Sequence, residues 1–158
     1  MPNIRRLLPT DFEQVEAVYR DAVISQTTGL YSPAQINAWA EHALRDPAVR
    51  NALDRGYGLA SCNAEDPAII EAFALLEPFD RLSLLYCRGR SCREGRASAL
   101  LHQLQTWASE QGLQRLRTEA SQLSRPLLER LGWWIEAEEV VTFAAQEFVR
   151  WRMIRDLP

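Results

Sequence analysis

The stretch RLSLLYCRGRSCREGRASALL, from Arg81 to Leu101, contains the features that decide the fold. Its first seven residues are mostly apolar, as in a strand, and they lead into a turn of arginines, glycines and small side chains. After the turn, apolar residues recur at helical spacing as far as Ala108, and Gly112 ends the pattern. The stretch therefore predicts a strand, a turn and a long helix.

The turn from Cys92 to Ser98 is suited to an anion. A strand that passes through small residues into a helix presents free backbone N–H groups, and the helix dipole favours negative charge there. Gly95 and Ala97 leave room for a phosphate to approach the backbone, and four arginines surround it: Arg88, Arg90, Arg93 and Arg96. The turn contains neither the P-loop nor the dinucleotide glycine pattern, so a tight connection with solvated arginines is the alternative.

The rest of the chain alternates strands and helices. Apolar spacing and turn residues predict strands near residues 4–8, 58–63, 68–76, 82–87, 113–120, 133–143 and 147–153, with helices near 12–25, from 33, from 97 and near 124–131. Thr10 and Ser32 are predicted as helix N-caps, and the helix from Pro33 has an alternative in which it restarts near Pro47. The fold class is α/β (α+β) with a mixed sheet, in the order β-α-α-β-β-β-α-β-α-β-β.

Composition excludes several classes of protein. The 158 residues have a net charge of −3 and 47% hydrophobic residues, which indicates one globular domain over residues 1–158 and argues against general nucleic-acid binding. No apolar run reaches membrane-spanning length, and the first residues lack the apolar core of a signal peptide. Three cysteines without metal-ligand spacing favour a reduced cytoplasm and predict no metal site. All eighteen basic residues are arginine, which excludes lysine chemistry.

The stretch resembles motif A of the GNAT superfamily, the acyl-CoA-dependent N-acyltransferases. In that family the strand ends in a pattern such as LYV, and the turn reads Q/R-x-x-G-x-G/A. Here Leu85-Tyr86-Cys87 is similar to the strand end, and Cys92-Arg93-Glu94-Gly95-Arg96-Ala97 is similar to the turn. Residues 4–39 resemble the family's first strand and two helices, and EASQLSRPLLERLGW, residues 119–133, resembles motif B. The resemblance therefore covers nearly the whole chain.

The resemblance implies a fold, an activity and a cosubstrate. The fold would be a mostly antiparallel sheet of about seven strands with about four helices. The activity would be N-acetyl transfer from acetyl-CoA to an amine of a small molecule or peptide, by direct attack in a ternary complex. Such chemistry needs a route for the amine's proton, an oxyanion donor and an acid for the leaving thiolate. The partners implied are acetyl-CoA and the amine, without nucleic acid or membrane.

The resemblance also assigns cofactor-binding residues. The backbone of Tyr86 and Cys87 would pair with the pantetheine arm, and one of these N–H groups would face the thioester carbonyl. The pyrophosphate would lie on the backbone of the turn, which comprises Cys92, Arg93, Glu94, Gly95, Arg96, Ala97 and Ser98.

The chain departs from the family at several positions. Cys92 replaces Gln or Arg, and Leu123 replaces an asparagine near the cofactor arm. Leu128 stands where many members have a tyrosine acid, and Arg81 where some have a glutamate base. Glu94 would repel a phosphate, so we expect it to face solvent or to pair with Arg90 or Arg93.

The catalytic candidates are Glu119, Tyr86 and Tyr31. Glu119 lies on the strand after the long helix, and its alternative is a solvated carboxylate paired with Arg117 or Arg115. Tyr31 and Trp39 are candidates for the acceptor wall, with core packing as the alternative. Glu71, inside an apolar strand, is either a base with a raised pKa or a paired structural carboxylate.

Two other functions fit the same residues. The loss of tyrosine and asparagine from motif B favours a CoA- or anion-binding module with little catalysis. The arginine cluster favours a nucleic-acid-binding domain, against which the acidic net charge argues. The strands near Phe148 and Trp151 are candidates for an exposed homodimer contact, with a monomer as the alternative.

Overall fold

The fold is a single seven-stranded sheet with helices on both faces, seen in a computed structural model that describes residues 3–42 and 46–158. The strands are β1 (Asn3–Arg6), β2 (Tyr57–Cys62), β3 (Ile70–Leu76), β4 (Arg81–Cys87), β5 (Arg115–Ala120), β6 (Trp134–Phe143) and β7 (Gln146–Asp156). The helices are α1 (Phe12–Gln26), α2 (Pro33–Ala40), α3 (Pro47–Arg55), α4 (Arg96–Glu110) and α5 (Arg125–Arg130).

The strand order is β1-β2-β3-β4-β5-β7-β6, and every neighbouring pair is antiparallel except β4 and β5. The predicted fold class, a mixed and mostly antiparallel α/β sheet, is confirmed. Five helices are described rather than about four, because the chain restarts a helix at Pro47 after the N-cap Asp46. The part of the predicted second helix at residues 43–45 lies outside the described residues.

Two hydrophobic clusters hold the layers together. On one face of the sheet, α1, α2 and α3 bury residues such as Val18, Trp39 and Leu53. On the other face, α4 and α5 bury Leu101 and Leu128. Strand β3 lies between these layers, and all of its residues are buried, as the near-continuous apolar run of its sequence predicts. No helix within the described residues is long and apolar enough to cross a membrane.

The predicted N-cap is confirmed for α2 and is wrong for α1. Ser32 and Gln35 form the predicted capping box at α2, with Ser32 accepting from the Gln35 N–H at 3.1 Å. Thr10 does not cap α1, because it lies inside a short 3-10 helix that precedes it. Asp11 instead accepts from the Leu8 N–H at 2.8 Å and pairs with Arg5.

The last two strands form the predicted hairpin, and β6 is the outer edge of the sheet. The prediction that Phe148 and Trp151 are exposed is wrong: they are 7% and 9% exposed, because β7 lies inside the sheet between β5 and β6. The hairpin turns through Ala144 and Ala145, whose φ angles are +49° and +61°. These left-handed residues define a two-residue turn of the type that normally contains Asn-Gly.

We expect the double substitution Ala144→Asn and Ala145→Gly to raise the free energy of unfolding by about 1 kcal/mol, because both new residues tolerate a positive φ better than alanine. Urea unfolding at pH 7 measures the change. The matched control is Ala17→Gly at an exposed position inside α1, which should lower stability by a similar amount, since glycine is unfavourable inside a helix. A hairpin substitution that lowers stability would contradict the turn geometry.

Candidate functional site

A cleft opens in the sheet where β4 and β5 separate. The two strands pair only at Arg81 with Arg117 and at Leu82 with Thr118. Directly after this pair, Ser83 is an extra residue in the ladder, because Leu82 and Leu84 are paired with consecutive residues of β3. Such a β-bulge bends its strand and here coincides with the divergence of β4 from β5. The cleft between the strands has a volume of about 1230 Å³.

The edge of β4 that faces the cleft offers unpaired backbone groups. The Arg88 N–H donates to the Glu71 carbonyl at 2.8 Å. The alternation of an antiparallel ladder then directs the N–H of Tyr86 to β3 and those of Leu85 and Cys87 to the cleft. The N–H of Tyr86, which was predicted to meet a pantetheine arm, is therefore used by β3, whereas the N–H groups of Leu85 and Cys87 face the cleft.

The turn before α4 forms a concave row of N–H groups. Arg93 and Gly95 have positive φ angles of +68° and +79°, on either side of Glu94. The six N–H groups from Arg93 to Ser98 donate to no acceptor in the described chain. Successive N–H groups in such a turn, at a helix N-terminus, make an anion-binding nest. The structure thus has the geometry that the small residues of this turn predict.

Glu94 finds a partner that the sequence did not indicate. Its carboxylate is exposed to solvent, as one of the two expectations states, and it pairs with Arg96 at 3.1 Å instead of with Arg90 or Arg93. Arg96 also donates from Nη1 to Ser61 Oγ at 2.9 Å and to the Cys62 carbonyl at 3.0 Å. The Arg96 side chain therefore ties the start of α4 to β2 and partly neutralises Glu94, while the exposed Arg93 pairs with no described carboxylate.

Glu71 anchors the segment that leads into this turn. Its fully buried carboxylate accepts from Arg90 Nη2 at 2.6 Å, from Ser91 Oγ at 2.5 Å and from Asn63 Nδ2 at 3.3 Å. The hydrogen bonds from Arg90, which outweigh the effect of burial, lower the pKa of Glu71 to about 2. The alternative of a base with a raised pKa is therefore wrong, and Glu71 is a structural carboxylate.

Aromatic residues line the opposite side of the cleft. Trp39 Nε1 donates to Tyr86 Oη at 3.1 Å, and burial raises the pKa of Tyr86 to about 12. Tyr31 packs edge-on against Trp39, and its hydroxyl accepts from the Gln122 N–H at 2.9 Å. Burial also raises the pKa of Tyr31. Both phenols are therefore neutral at physiological pH, and the structure brings the predicted candidates Tyr31, Trp39 and Tyr86 to one wall.

Glu119 is the only Asp or Glu among the described residues that line the cleft. It accepts from Arg81 Nε at 3.0 Å. The alternative of pairing with Arg117 or Arg115 is wrong, because these arginines bind Asp80 and Asp156. Leu128, which is 1% exposed, presents no polar group to the cleft.

Some residues of the site were not singled out by sequence reasoning. Gln26, at the end of α1, donates to the Cys87 carbonyl at 2.5 Å and so holds the end of β4. Arg150 lines the cleft from β7. Nothing local marks either residue, because both reach the site only through long-range strand and helix packing. Residues 3–42 and 46–158 contain no group of three or more His, Cys, Asp or Glu arranged to hold a metal ion.

We expect Glu71→Gln to lower the free energy of unfolding by roughly 2–3 kcal/mol at pH 7, since it weakens the pairing of Arg90. A carboxylate with a depressed pKa stabilises the fold above its unfolded pKa, near 4.5, and this contribution is lost as the pH falls through the folded value of about 2. Urea unfolding at pH 7, 5 and 3 should show the difference from wild type shrinking at the lowest pH. A difference that is independent of pH would contradict the assignment.

No protein-family model matches the chain. An uncharacterized N-acetyltransferase of Escherichia coli strain K12, YafP, is 31% identical over 131 residues, which are 82% of this chain and 79% of that protein.

Solved structures share the fold. A GCN5-related N-acetyltransferase of Rhodopseudomonas palustris superposes with a TM-score of 0.90 at 23% identity, covering 99% of this chain and 96% of that one. The PaiA N-acetyltransferase of Thermoplasma acidophilum, solved with coenzyme A, gives 0.77 at 17% identity over 99% of both chains. A phosphinothricin acetyltransferase of Sinorhizobium meliloti, solved with acetyl-CoA, gives 0.66 at 17% identity, over 99% of this chain and 88% of that one.

The chain belongs to the GNAT superfamily of acyl-CoA-dependent N-acetyltransferases.

Proposed function

We propose that the protein transfers the acetyl group of acetyl-CoA to an amine of a small molecule or peptide, by direct attack in a ternary complex. The observation that carries this proposal is the row of six free N–H groups from Arg93 to Ser98, next to the open edge of β4. Two structural neighbours were solved with coenzyme A or acetyl-CoA, which supports the same cosubstrate here.

The residues present fit this cosubstrate. The nest matches a pyrophosphate, because backbone N–H groups would make the contacts. The side chain of Cys92, which differs from the family motif, is not needed for them. Arg93 is exposed beside the nest, and the ion pair with Arg96 reduces the repulsion between Glu94 and a bound phosphate. The N–H groups of Leu85 and Cys87, which face the cleft, can donate to the amide carbonyls of a pantetheine arm. The arm would then lie along β4 in the position of a neighbouring strand.

The chain's own residues can serve the chemistry as follows. Bound acetyl-CoA supplies an acetyl thioester, whose carbonyl oxygen needs a hydrogen-bond donor such as the N–H of Leu85 or Cys87. The acceptor loses two protons from its ammonium as the amide forms, and the leaving sulfur regains one. Glu119, whose carboxylate lines the cleft, attracts the ammonium, and the second proton leaves to solvent through the open cleft.

Tyr31 is the proposed proton donor to the sulfur. Its hydroxyl accepts from Gln122, so its own hydrogen remains available, and it lies at the end of β5 where the cleft opens. Tyr86 is less suited, because its hydroxyl accepts from Trp39 and its ring packs against Tyr19. Tyr31 would thus take the role for which Leu128 has no functional group.

The setting proposed is the cytoplasm, because Cys62, Cys87 and Cys92 are free thiols. Burial raises the pKa of Cys87 to about 12, so this thiol is inert beside a thioester. A covalent acyl-enzyme is accordingly not part of the proposal.

The proposal is tested first by acetyl-CoA binding, measured by calorimetry and thermal shift. We expect wild type to bind, and Gly95→Asp to lose binding by at least tenfold, because a carboxylate enters the nest. The matched control is Gly112→Asp, since Gly112 also has a positive φ, +87°, and open space around its Cα. Equal loss in both variants, or no binding by wild type, would contradict the nest. Binding without thiol release on any amine would instead indicate a CoA-binding module.

We expect Tyr31→Phe to lower kcat by roughly tenfold to hundredfold with little change in KM for acetyl-CoA, because only the proton donor is removed. Thiol release measures the rate. The control is Tyr57→Phe, whose ring stacks on Trp107 away from the cleft. An unchanged kcat would show that the sulfur leaves without help from Tyr31.

A further inference from the structure

The acceptor side of the cleft is a groove of aromatic rings. The ring centroid of Trp39 lies 6.4 Å from that of Tyr86 and 6.2 Å from that of Phe148. The row continues with Phe143, whose centroid is 4.7 Å from that of Phe148, and ends at His42, 5.0 Å from Phe143. Tyr31 closes the groove against Trp39 and Phe148. Rings in such a row accept an apolar or aromatic side group by edge and face contacts.

A positive charge lies beside this groove. Along β7, Phe148 and Arg150 share one face of the sheet, because they are two residues apart. Arg150 lines the cleft, and its Nε donates to Glu139 Oε1 at 2.7 Å. No acceptor within the described chain takes the terminal Nη groups of Arg150. The guanidinium therefore retains donors of the kind that bind a carboxylate in a bidentate manner.

The local charges do not cancel. Glu139 binds both Arg150 and Arg152, at 2.7 Å and 3.3 Å, so this triad has a net charge of one positive unit. Glu119 and Arg81, which are 3.0 Å apart, form a neutral pair and so add no net charge of their own. Near the rings, His42 contacts Asp46 at 3.6 Å, at the outer end of the groove. The surplus positive charge thus favours an anionic group on the acceptor, close to Arg150.

The distances along the sheet fit an amino acid. Glu119 is directly opposite Arg152, and Arg150 is therefore its diagonal neighbour, about 7–8 Å away between backbone positions. An acceptor could place its ammonium near Glu119, its carboxylate on Arg150 and its side chain on the rings. We propose that the acceptor is a primary amine that carries a carboxylate and an aromatic side chain, as an aromatic amino acid does. This inference rests on the proposed function.

The test compares kcat/KM for phenylalanine, phenethylamine, phenylalaninamide and glycine, with acetyl-CoA and thiol release as the readout. We expect wild type to prefer phenylalanine at least tenfold over phenethylamine and phenylalaninamide, which lack the carboxylate, and over glycine, which lacks the ring. Arg150→Gln should remove the preference for the carboxylate, a loss of roughly tenfold to hundredfold for phenylalanine with little change for phenethylamine. Arg150→Lys should recover part of it.

Arg115→Gln is the matched control, because Arg115 also binds one carboxylate from Nε at 2.7 Å and does not line the cleft. It should leave the preference unchanged. Calorimetric binding of N-acetylphenylalanine, expected to be at least tenfold tighter than that of N-acetylphenethylamine in wild type, gives a second readout that does not depend on turnover.

The outcomes separate the two proposals. Equal or better use of phenethylamine by wild type, or equal losses on all amines in Arg150→Gln, overturns the carboxylate inference and leaves acetyl transfer standing. Acetyl-CoA binding without turnover of any of these four amines, but with turnover of other amines, also overturns it. Absence of acetyl-CoA binding overturns the proposed function itself.

Discussion

The separation of β4 from β5 after two residue pairs is the constraint on which the site depends. A parallel pair that continued would satisfy the backbone of both strands and close the sheet. Here the bulge at Ser83 bends β4, and the N–H groups of Leu85 and Cys87 face an open cleft. Backbone donors in a protein interior need acceptors, and these two N–H groups are left available to a molecule that enters the cleft.

The buried carboxylate of Glu71 connects this gap with the nest. It lies on β3, the most buried strand, and it binds Arg90 and Ser91 in the segment between β4 and the turn. Burying a carboxylate costs free energy unless hydrogen bonds compensate, and here several do. The same bonds fix where the chain leaves β4, and so where α4 begins. The position of the nest is therefore determined by the core of the protein.

The sequence predicted what depends on local pattern. The strand, turn and helix from Arg81 to Leu101, the capping box at Ser32 and the full burial of β3 follow from periodicity and short-range chemistry. It did not predict what depends on register and on side-chain reach. Glu94 pairs with Arg96, and Glu119 pairs with Arg81, because the turn and the neighbouring strand bring those arginines closer than the ones expected. Phe148 and Trp151 are buried because β7 inserts between β5 and β6, which no local signal records.

The part of the cleft proposed for the cosubstrate and the part proposed for the acceptor differ in how much a family resemblance predicts about them. The cosubstrate half is made of backbone, so Cys92 and Glu94 can depart from the motif while the row of N–H groups is retained. The acceptor half is made of side chains, and there each departure changes the chemistry. Leu128 has no hydroxyl, whereas the proposed roles of Tyr31 and Arg150 would supply a hydroxyl at the end of β5 and a cation. On these proposals, the acceptor is selected by side chains of the helices and the hairpin that pack against the motif, and not by the motif itself.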